Sequence, residues 1–486
     1  MDLDKIKLFF CNSRNFRLYM LLSMFFANVA FVDVIAVFAM LFGLVWSLFI
    51  LFFKFKSDDY IREMQFNKLV FGFLISSLLT VILHVRHNFG LNLLYVWYSL
   101  ICFIIFYGLH AEKNSKESRC EMFFFFKLMV IITTILSLLS IATLTFQSME
   151  IKGEGLTKYK KIFSCMGPSS IDLNGYALGI YQSRLIGIYT NANLLGFSAV
   201  IGIVAATIMM KRKNDENAKF KLPMWLCIAC VVLNIICLFL SDSNGSFLFV
   251  IIYITSLLFC KLLAGEYKVR MSIILKRTMY LMVACSCFIC ISVVLRGYTQ
   301  KFVIHMISEA VDIKNNADNV ILTDKNVEPG EDIVIGRKKG INGYNDVSSG
   351  RIELWKQGIR LFSKHPVMGI GRANFLYYGE LYLKDGLRFP DVHNGYLSIL
   401  IAYGIIGFGW FASFGCVVAV FVLRYLFKQS VLKRANIFPK LFSFLVAYCV
   451  YALLEITFLS QPFFETLIFW FVLGHIMTCV KKYSVV

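Results

Sequence analysis

Apolar runs of about 18–25 residues recur along the chain, separated by short charged or Gly/Ser/Asn-bearing segments. A run of that length crosses a hydrocarbon core of roughly 30 Å as a single helix. The pattern predicts an all-α polytopic membrane protein with about twelve transmembrane helices. Residues 18–53 are too long for one span and are split around Asp33 into two helices joined by a tight turn. Further spans are expected at 69–85, 91–110, 122–146, from about 194, 222–240, 247–264, 278–295, 395–427, 441–460 and 464–480. The run 395–427 is over-long and interrupted by Gly404, Gly407 and Gly409, which predicts a kink or a partly re-entrant segment. Three blocks follow: helices one to nine with an outer loop at 147–193 (1–295), a large extracytoplasmic loop (296–393) and helices ten to twelve (394–486).

Composition agrees with this pattern. The chain has 486 residues, is 58% hydrophobic and 16% aromatic, and has a mean hydropathy of +0.69, far from soluble-domain averages. No small-residue cleavage site follows the charged N-terminus, so no cleavable signal peptide is expected. The net charge of +19 would suit a nucleic-acid partner, but its distribution argues against one. Segments such as KRKNDENAKFK and GEYKVRMSIILKR are basic, whereas the short loops HVRHNFG, SDSNGS and QPF contribute only Arg86. That asymmetry is the positive-inside signal and predicts both termini in the cytoplasm. Reading 18–53 as one span would invert every later loop and put the basic ones outside. Most of the 14 cysteines, including Cys227-x-x-Cys230, lie within apolar runs and read as small packing residues. Only Cys165 falls in an expected external loop, so no disulfide framework is expected. No metal-ligand spacing, phosphate-binding glycine loop or serine elbow occurs, and no repeat of 20–50 residues is visible. The polar tract NNADNVILTDKNVEPGEDIVIG reads as a mobile insert or lid.

The chemistry concentrates between Asn345 and Trp410. Arg351 to Lys364 reads as a helix opened by Ser348 and Ser349 and stopped before Pro366. Placed at 100° per residue from Arg351, Ile352, Trp355, Ile359 and Phe362 fall at roughly 20–100°. Glu353, Lys356, Gln357, Arg360 and Lys364 fall at roughly 140–240°. The helix is amphipathic and suited to a membrane interface or to packing on the spans. Arg351 borders the apolar stripe and is directed at the protein or the headgroups, whereas Arg360 lies on the wet face, so the two cannot share a pocket.

Gly369 and Gly371 permit positive φ and close approach of a ligand or another helix. His365, before Pro366, reads as a helix-end residue rather than a base. His393 and Asn394 precede the span that begins at Gly395, with Asp391 two residues earlier. Two readings of this pair stand: a neutral imidazole that takes a proton from a hydroxyl, or a simple helix cap. Arg184 stands ahead of the sixth span, followed by Asn191 and Asn193. Its planar fork suits either lipid phosphate or a diphosphate ligand, and the asparagines could orient it or bind sugar hydroxyls. Glu455, an acid near the end of span eleven, is a functional candidate or a structural partner for an arginine.

Taken together, SGR-x3-W (349–355), HP-x2-G-x-G (365–371), HN-x2-L (393–397) and R-x2-G-x3-N-x-N (184–193) resemble the O-antigen ligase/polymerase superfamily. The resemblance implies a GT-C-like membrane glycosyltransferase that moves a glycan from undecaprenyl diphosphate at the outer face of the cytoplasmic membrane, with no cofactor, metal or nucleotide. It implies that Arg184 and Arg351 hold the diphosphate and that His393 deprotonates the acceptor hydroxyl, with Asn193 and Asn394 as further substrate contacts. Two departures stand out: Ala192 where the family often has proline, and Ser243-Asn244-Gly245 where it has a Ser-Arg-Gly turn. The reading is a Wzy-type polymerase of capsular, O-antigen or exopolysaccharide repeat units, with a flippase and a chain-length regulator as expected partners. The alternatives are a ligase onto lipid A core or another acceptor, a polysaccharide flippase or exporter, and an inactive scaffold subunit. An exporter should carry charges along a central path, and here the polar chemistry gathers in the expected outer loops.

Overall fold

The computed structural model describes residues 9–145, 149–151, 176–181, 184–210, 222–263, 279, 286, 289–303, 350–384, 386–387, 389–427, 437–459 and 462–484. The expected lid tract, Cys165, Ser348 and Ser349 lie outside these residues, as does about half of the expected ninth span and of the large loop.

Helices dominate. They are α1 (Ser13–Phe26), α2 (Asp33–Lys56), α3 (Asn67–Leu83), α4 (Phe89–Leu100), α5 (Ser115–Ala142), α6 (Ala192–Met209), α7 (Met224–Leu240), α8 (Asn244–Leu263), α9 (Arg351–Lys364), α10 (Phe375–Tyr382), α11 (Gly395–Leu426), α12 (Phe438–Tyr451) and α13 (Phe464–Ser484). Among the described residues, seven helical stretches are long and apolar enough to cross a membrane. They are α2, α4 with its π-helical extension Ile101–Tyr107, α5, α6, α8, α11 and α13. The apolar helices α3, α7 and α12 are shorter. This is a multi-pass helical membrane protein.

One feature departs from an all-helical reading. Strands β1 (Met149–Ile151), β2 (Tyr176–Tyr181) and β3 (Arg184–Gly187) form a small antiparallel sheet, with Tyr181 paired to Arg184. Tyr189, just past β3, bridges to Val29 in the turn between α1 and α2. That sheet and bridge fix where Arg184 sits before α6 begins.

Helix α6 is apolar on every side and almost wholly buried, as such a helix must be. It packs among α5, α7, α8 and α12. Its glycines make close approach possible, as small residues do between membrane helices. A Cβ at Gly202 would stand 2.6 Å from the Asn234 amide, and one at Gly196 would stand 2.7 Å from Ser243 Cβ. The second contact seats the 241–246 turn against the first turns of α6.

Helix α11 is broken at Gly404 (φ 64°, ψ −168°). Backbone groups freed by such a break need partners inside an apolar bundle. The segment 366–371 supplies them. Ile405 N and Ile406 N donate to the carbonyls of Pro366 and Val367 at 2.8 and 3.2 Å. Ile370 N and Gly371 N donate to Ile401 O and Ala402 O at 3.1 and 2.8 Å. The glycine-rich turn is therefore a splint for a broken helix. Thr80 Oγ1 on α3 donates to Met368 O at 2.6 Å and braces it from the other side.

Arg17 is fully buried. Its Nε and Nη2 donate to the two oxygens of Glu121 at 2.8 and 3.0 Å, and Nη1 donates to Ile105 O at 3.0 Å in the π-helical turn. A buried arginine satisfied in this way ties α1 to α4 and α5.

Candidate functional site

The site forms where four chain segments meet: the start of α9, the residues before α11, the loop after α12 and the 241–245 turn. Helix α9 has the predicted ends. It starts from Gly350, whose φ of 80° suits glycine, and stops at His365 before Pro366. The line buried against the protein is displaced from the centre of the apolar stripe. The buried line is Leu354, Gly358 and Leu361, at about 280–340° on the wheel that places Arg351 at zero. A Cβ at Gly358 would stand 2.9 Å from side-chain atoms of both Val392 and Ile401, so the helix lies closely on the start of α11. The apolar arc, expected at a membrane interface or packed on the spans, is largely open, with Ile352 49% and Ile359 57% exposed. The helix thus has a protein face, an open apolar face and a wet face bearing Arg360. Leucines and a glycine make the closest contact because they let the two backbones approach.

Arg351 stands at the edge of the protein face and is half-buried. Its Nη2 donates to Glu455 Oε1 at 2.7 Å. The other oxygen, Oε2, lies 3.5 Å from His393 Nδ1, an ion-pair separation rather than a hydrogen bond. Glu455 therefore stands between a guanidinium and an imidazole. It is brought there by Gly395: the amide donates to Ala452 O at 2.8 Å, and a Cβ would stand 2.3 Å from Thr457 Oγ1.

His393 occupies an unusual backbone conformation, with φ of 46°. Asp391 holds that turn. Its Oδ1 accepts from His393 N at 3.0 Å and from Ser398 Oγ at 2.8 Å. Its Oδ2 pairs with Arg372, whose Nη1 also donates to Pro390 O at 2.9 Å. Both Asp391 and Arg372 are buried, and the guanidinium lies 4.7 Å from the Phe375 ring centre. Arg372 was not singled out by its sequence context, which is a glycine turn with no acidic neighbour. Asn394 is the N-cap of α11: its Oδ1 accepts from Tyr396 N and Leu397 N at 3.1 and 3.0 Å. The His-Asn pair is thus divided, with Asn394 directing the chain into the helix and His393 turned toward Glu455.

Arg184 reaches the site from the sheet. Its Nε donates to Ser241 O at 2.8 Å and its Nη2 to Asn193 Oδ1 at 2.7 Å. Asn193 is itself fixed by Asn191, whose Oδ1 accepts its backbone N–H at 2.8 Å. The Arg184 charge also helps to lower the Glu455 carboxyl, less than His393 and Arg351 do. The turn that takes Arg184 at Ser241 O also lies against the carboxylate, since a Cβ at Gly245 would stand 3.4 Å from Glu455 Oε1. Arg296 donates to Asn244 Oδ1 at 3.2 Å and pairs with Asp242, so a further guanidinium flanks this turn.

The protonation behaviour follows from these contacts. Burial alone would push the His393 imidazole down. Glu455 and then Asp391 outweigh burial and Arg351, so it stands above its ordinary value. Burial would raise the Glu455 carboxyl, but His393 and then Arg351 hold it below the usual range. A carboxylate facing Nδ1 favours the neutral tautomer with its proton on Nδ1 and the lone pair on Nε2. The imidazole is partly exposed, with the Phe389 ring set edge-on at 5.7 Å. The arrangement offers an oriented base beside paired cations.

His365 lies at the far end of α9 in an aromatic cluster, where its Nε2 is 3.1 Å from Tyr382 Oη.

Residues 229–412 match the family model described as O-antigen ligase, in keeping with the superfamily that the motifs resemble. Arg351, Arg372, Asp391 and His393 fall within the match; Arg184, Asn193 and Glu455 fall outside it. No curated protein matches the chain. The family implies a glycosyltransferase-like enzyme of glycan assembly.

Proposed function

Taking the O-antigen ligase match as premise, we propose that this protein polymerises undecaprenyl-diphosphate-linked repeat units at the outer face of the cytoplasmic membrane. The observation that carries the reading is Glu455 held between Arg351 and His393. A base and a diphosphate-binding cation then share one carboxylate at one end of the bundle.

In the proposed reaction, His393 Nε2 removes the proton from an acceptor sugar hydroxyl. The freed oxygen attacks the anomeric carbon of the donor glycan. The carbon–oxygen bond to the diphosphate breaks, and the electron pair leaves on a diphosphate oxygen. Arg351 and Arg184 stabilise that developing charge, since a guanidinium fork matches phosphate oxygens. Glu455 keeps His393 in the tautomer that leaves Nε2 free of a proton, and Asp391 fixes the turn. Asn193 orients Arg184, and Asn394 sets the entry of α11 beside the bound sugar. We place both termini in the cytoplasm and count twelve spans, on the strength of the basic segments between them.

The family description itself favours a second reading, a ligase that passes finished glycan to lipid A core or another acceptor. One experiment separates the two. Protein reconstituted in liposomes with undecaprenyl-diphosphate-linked repeat units alone should yield a ladder of longer lipid-linked products. No ladder, with transfer appearing only when a lipid A core acceptor is added, would replace the polymerase by the ligase. His393→Ala should abolish either activity, and unchanged product length in that variant would remove the base assignment.

A further inference from the structure

Trp355 lies one helical turn beyond Arg351 on α9, about 40° round the wheel and roughly 6 Å along the axis. Its indole Nε1 is fully covered yet has no hydrogen-bond partner, and the same is true of Arg351 Nε. A covered donor left without an acceptor is costly, and two within one turn are exceptional.

The other tryptophans show how this fold treats an indole N–H. Trp46 donates to Phe10 O at 2.6 Å, Trp97 to Ser47 Oγ at 2.9 Å and Trp470 to Phe458 O at 3.2 Å. Trp225 and Trp410 are exposed, at 69% and 39%. Trp355 alone combines a covered nitrogen with no acceptor. The usual role of a tryptophan at a membrane boundary, with its ring in the apolar layer and its N–H open to headgroups and water, does not fit.

Arg351 commits Nη2 to Glu455 and so marks this edge of α9 as the wall of the site. Trp355 continues the same wall by one turn.

We propose that the indole N–H of Trp355, beside Arg351 Nε, donates to an oxygen of the donor's diphosphate, making Trp355 a substrate-binding residue. This rests on the reading of the donor given above. A neutral donor here complements the arginines. It adds a directed hydrogen bond to an anion without a further charge that Glu455 would have to balance. A sugar hydroxyl could use the same donor, and the test separates the two acceptors.

Binding of undecaprenyl diphosphate, which carries no sugar, is measured on purified protein in detergent beside the free repeat oligosaccharide, which carries no phosphate. Trp355→Phe keeps the ring and removes the N–H, and should weaken undecaprenyl diphosphate about tenfold, the scale of one hydrogen bond to a charged group. Trp355→His keeps a ring N–H and should retain most of the binding. Equal losses in both variants would mean a packing role and overturn the proposal, as would unchanged binding in Trp355→Phe. A loss confined to the free oligosaccharide would overturn the diphosphate assignment. Wild-type protein that binds no undecaprenyl diphosphate would sink the donor reading and this inference together. Wild-type binding with an indifferent Trp355→Phe would sink only the inference.

Discussion

Arg351 and Glu455 lie 104 residues apart in the chain and 2.7 Å apart in space. Glu455 Oε2 then faces His393 at 3.5 Å, so one carboxylate orders both the cation and the base.

Replacing Glu455 by glutamine should change the pH dependence of transfer. A base must be neutral, so the acid limb of kcat/KM should lie above the ordinary histidine value of about 6.5. Glu455 is the main group raising His393 against burial, and burial remains when the charge is gone. The acid limb in Glu455→Gln should therefore move to lower pH, with a lower plateau. A limb that stays in place would show that Glu455 does not govern the base.

The two arginines of α9 should respond differently. Arg351→Ala removes the guanidinium beside Glu455 and should weaken lipid-diphosphate binding at least tenfold. Arg360 is exposed on the wet face, and Arg360→Ala should stay within about twofold, as surface charges do. Equal losses, measured by titration in detergent, would contradict the facing of α9.

Asp391→Asn retains an oxygen for His393 N and Ser398 but leaves the buried charge of Arg372 unbalanced. Breaking a buried pair in this way costs about 3–5 kcal/mol. Thermal unfolding in detergent should show a lowered Tm, and kcat should fall more than KM rises, because the loss of the Arg372 pair lets residue 391 and the His393 turn shift while the diphosphate contacts stay.

Gly404→Ala tests the splint. The backbone at Gly404 lies in a region that only glycine enters readily, and a Cβ would stand 2.2 Å from Val367 O. The substitution should cost about 1–3 kcal/mol or more in backbone strain. It should also separate α11 from 366–371, which would be seen as a loss of monodisperse protein on size exclusion. Gly409, where a Cβ meets nothing within 4 Å, should tolerate alanine.

The periodicity of the chain by itself determined where most of the described helices begin and end, including the limits of α9, because helix ends are set by local residues such as Gly350 and Pro366. It also gave the angles of α9 residues relative to one another, and hence the separation of Arg351 from Arg360. It did not give the zero of that wheel. Which arc faces the protein depends on how closely α9 can approach α11, and Gly358 decided that over the bulkier Ile352 and Ile359. The β-sheet carrying Arg184, the Arg372–Asp391 pair and the carboxylate between Arg351 and His393 are likewise decisions of the tertiary structure. Each joins segments far apart in the chain, and no local spacing records a contact made only when the bundle closes.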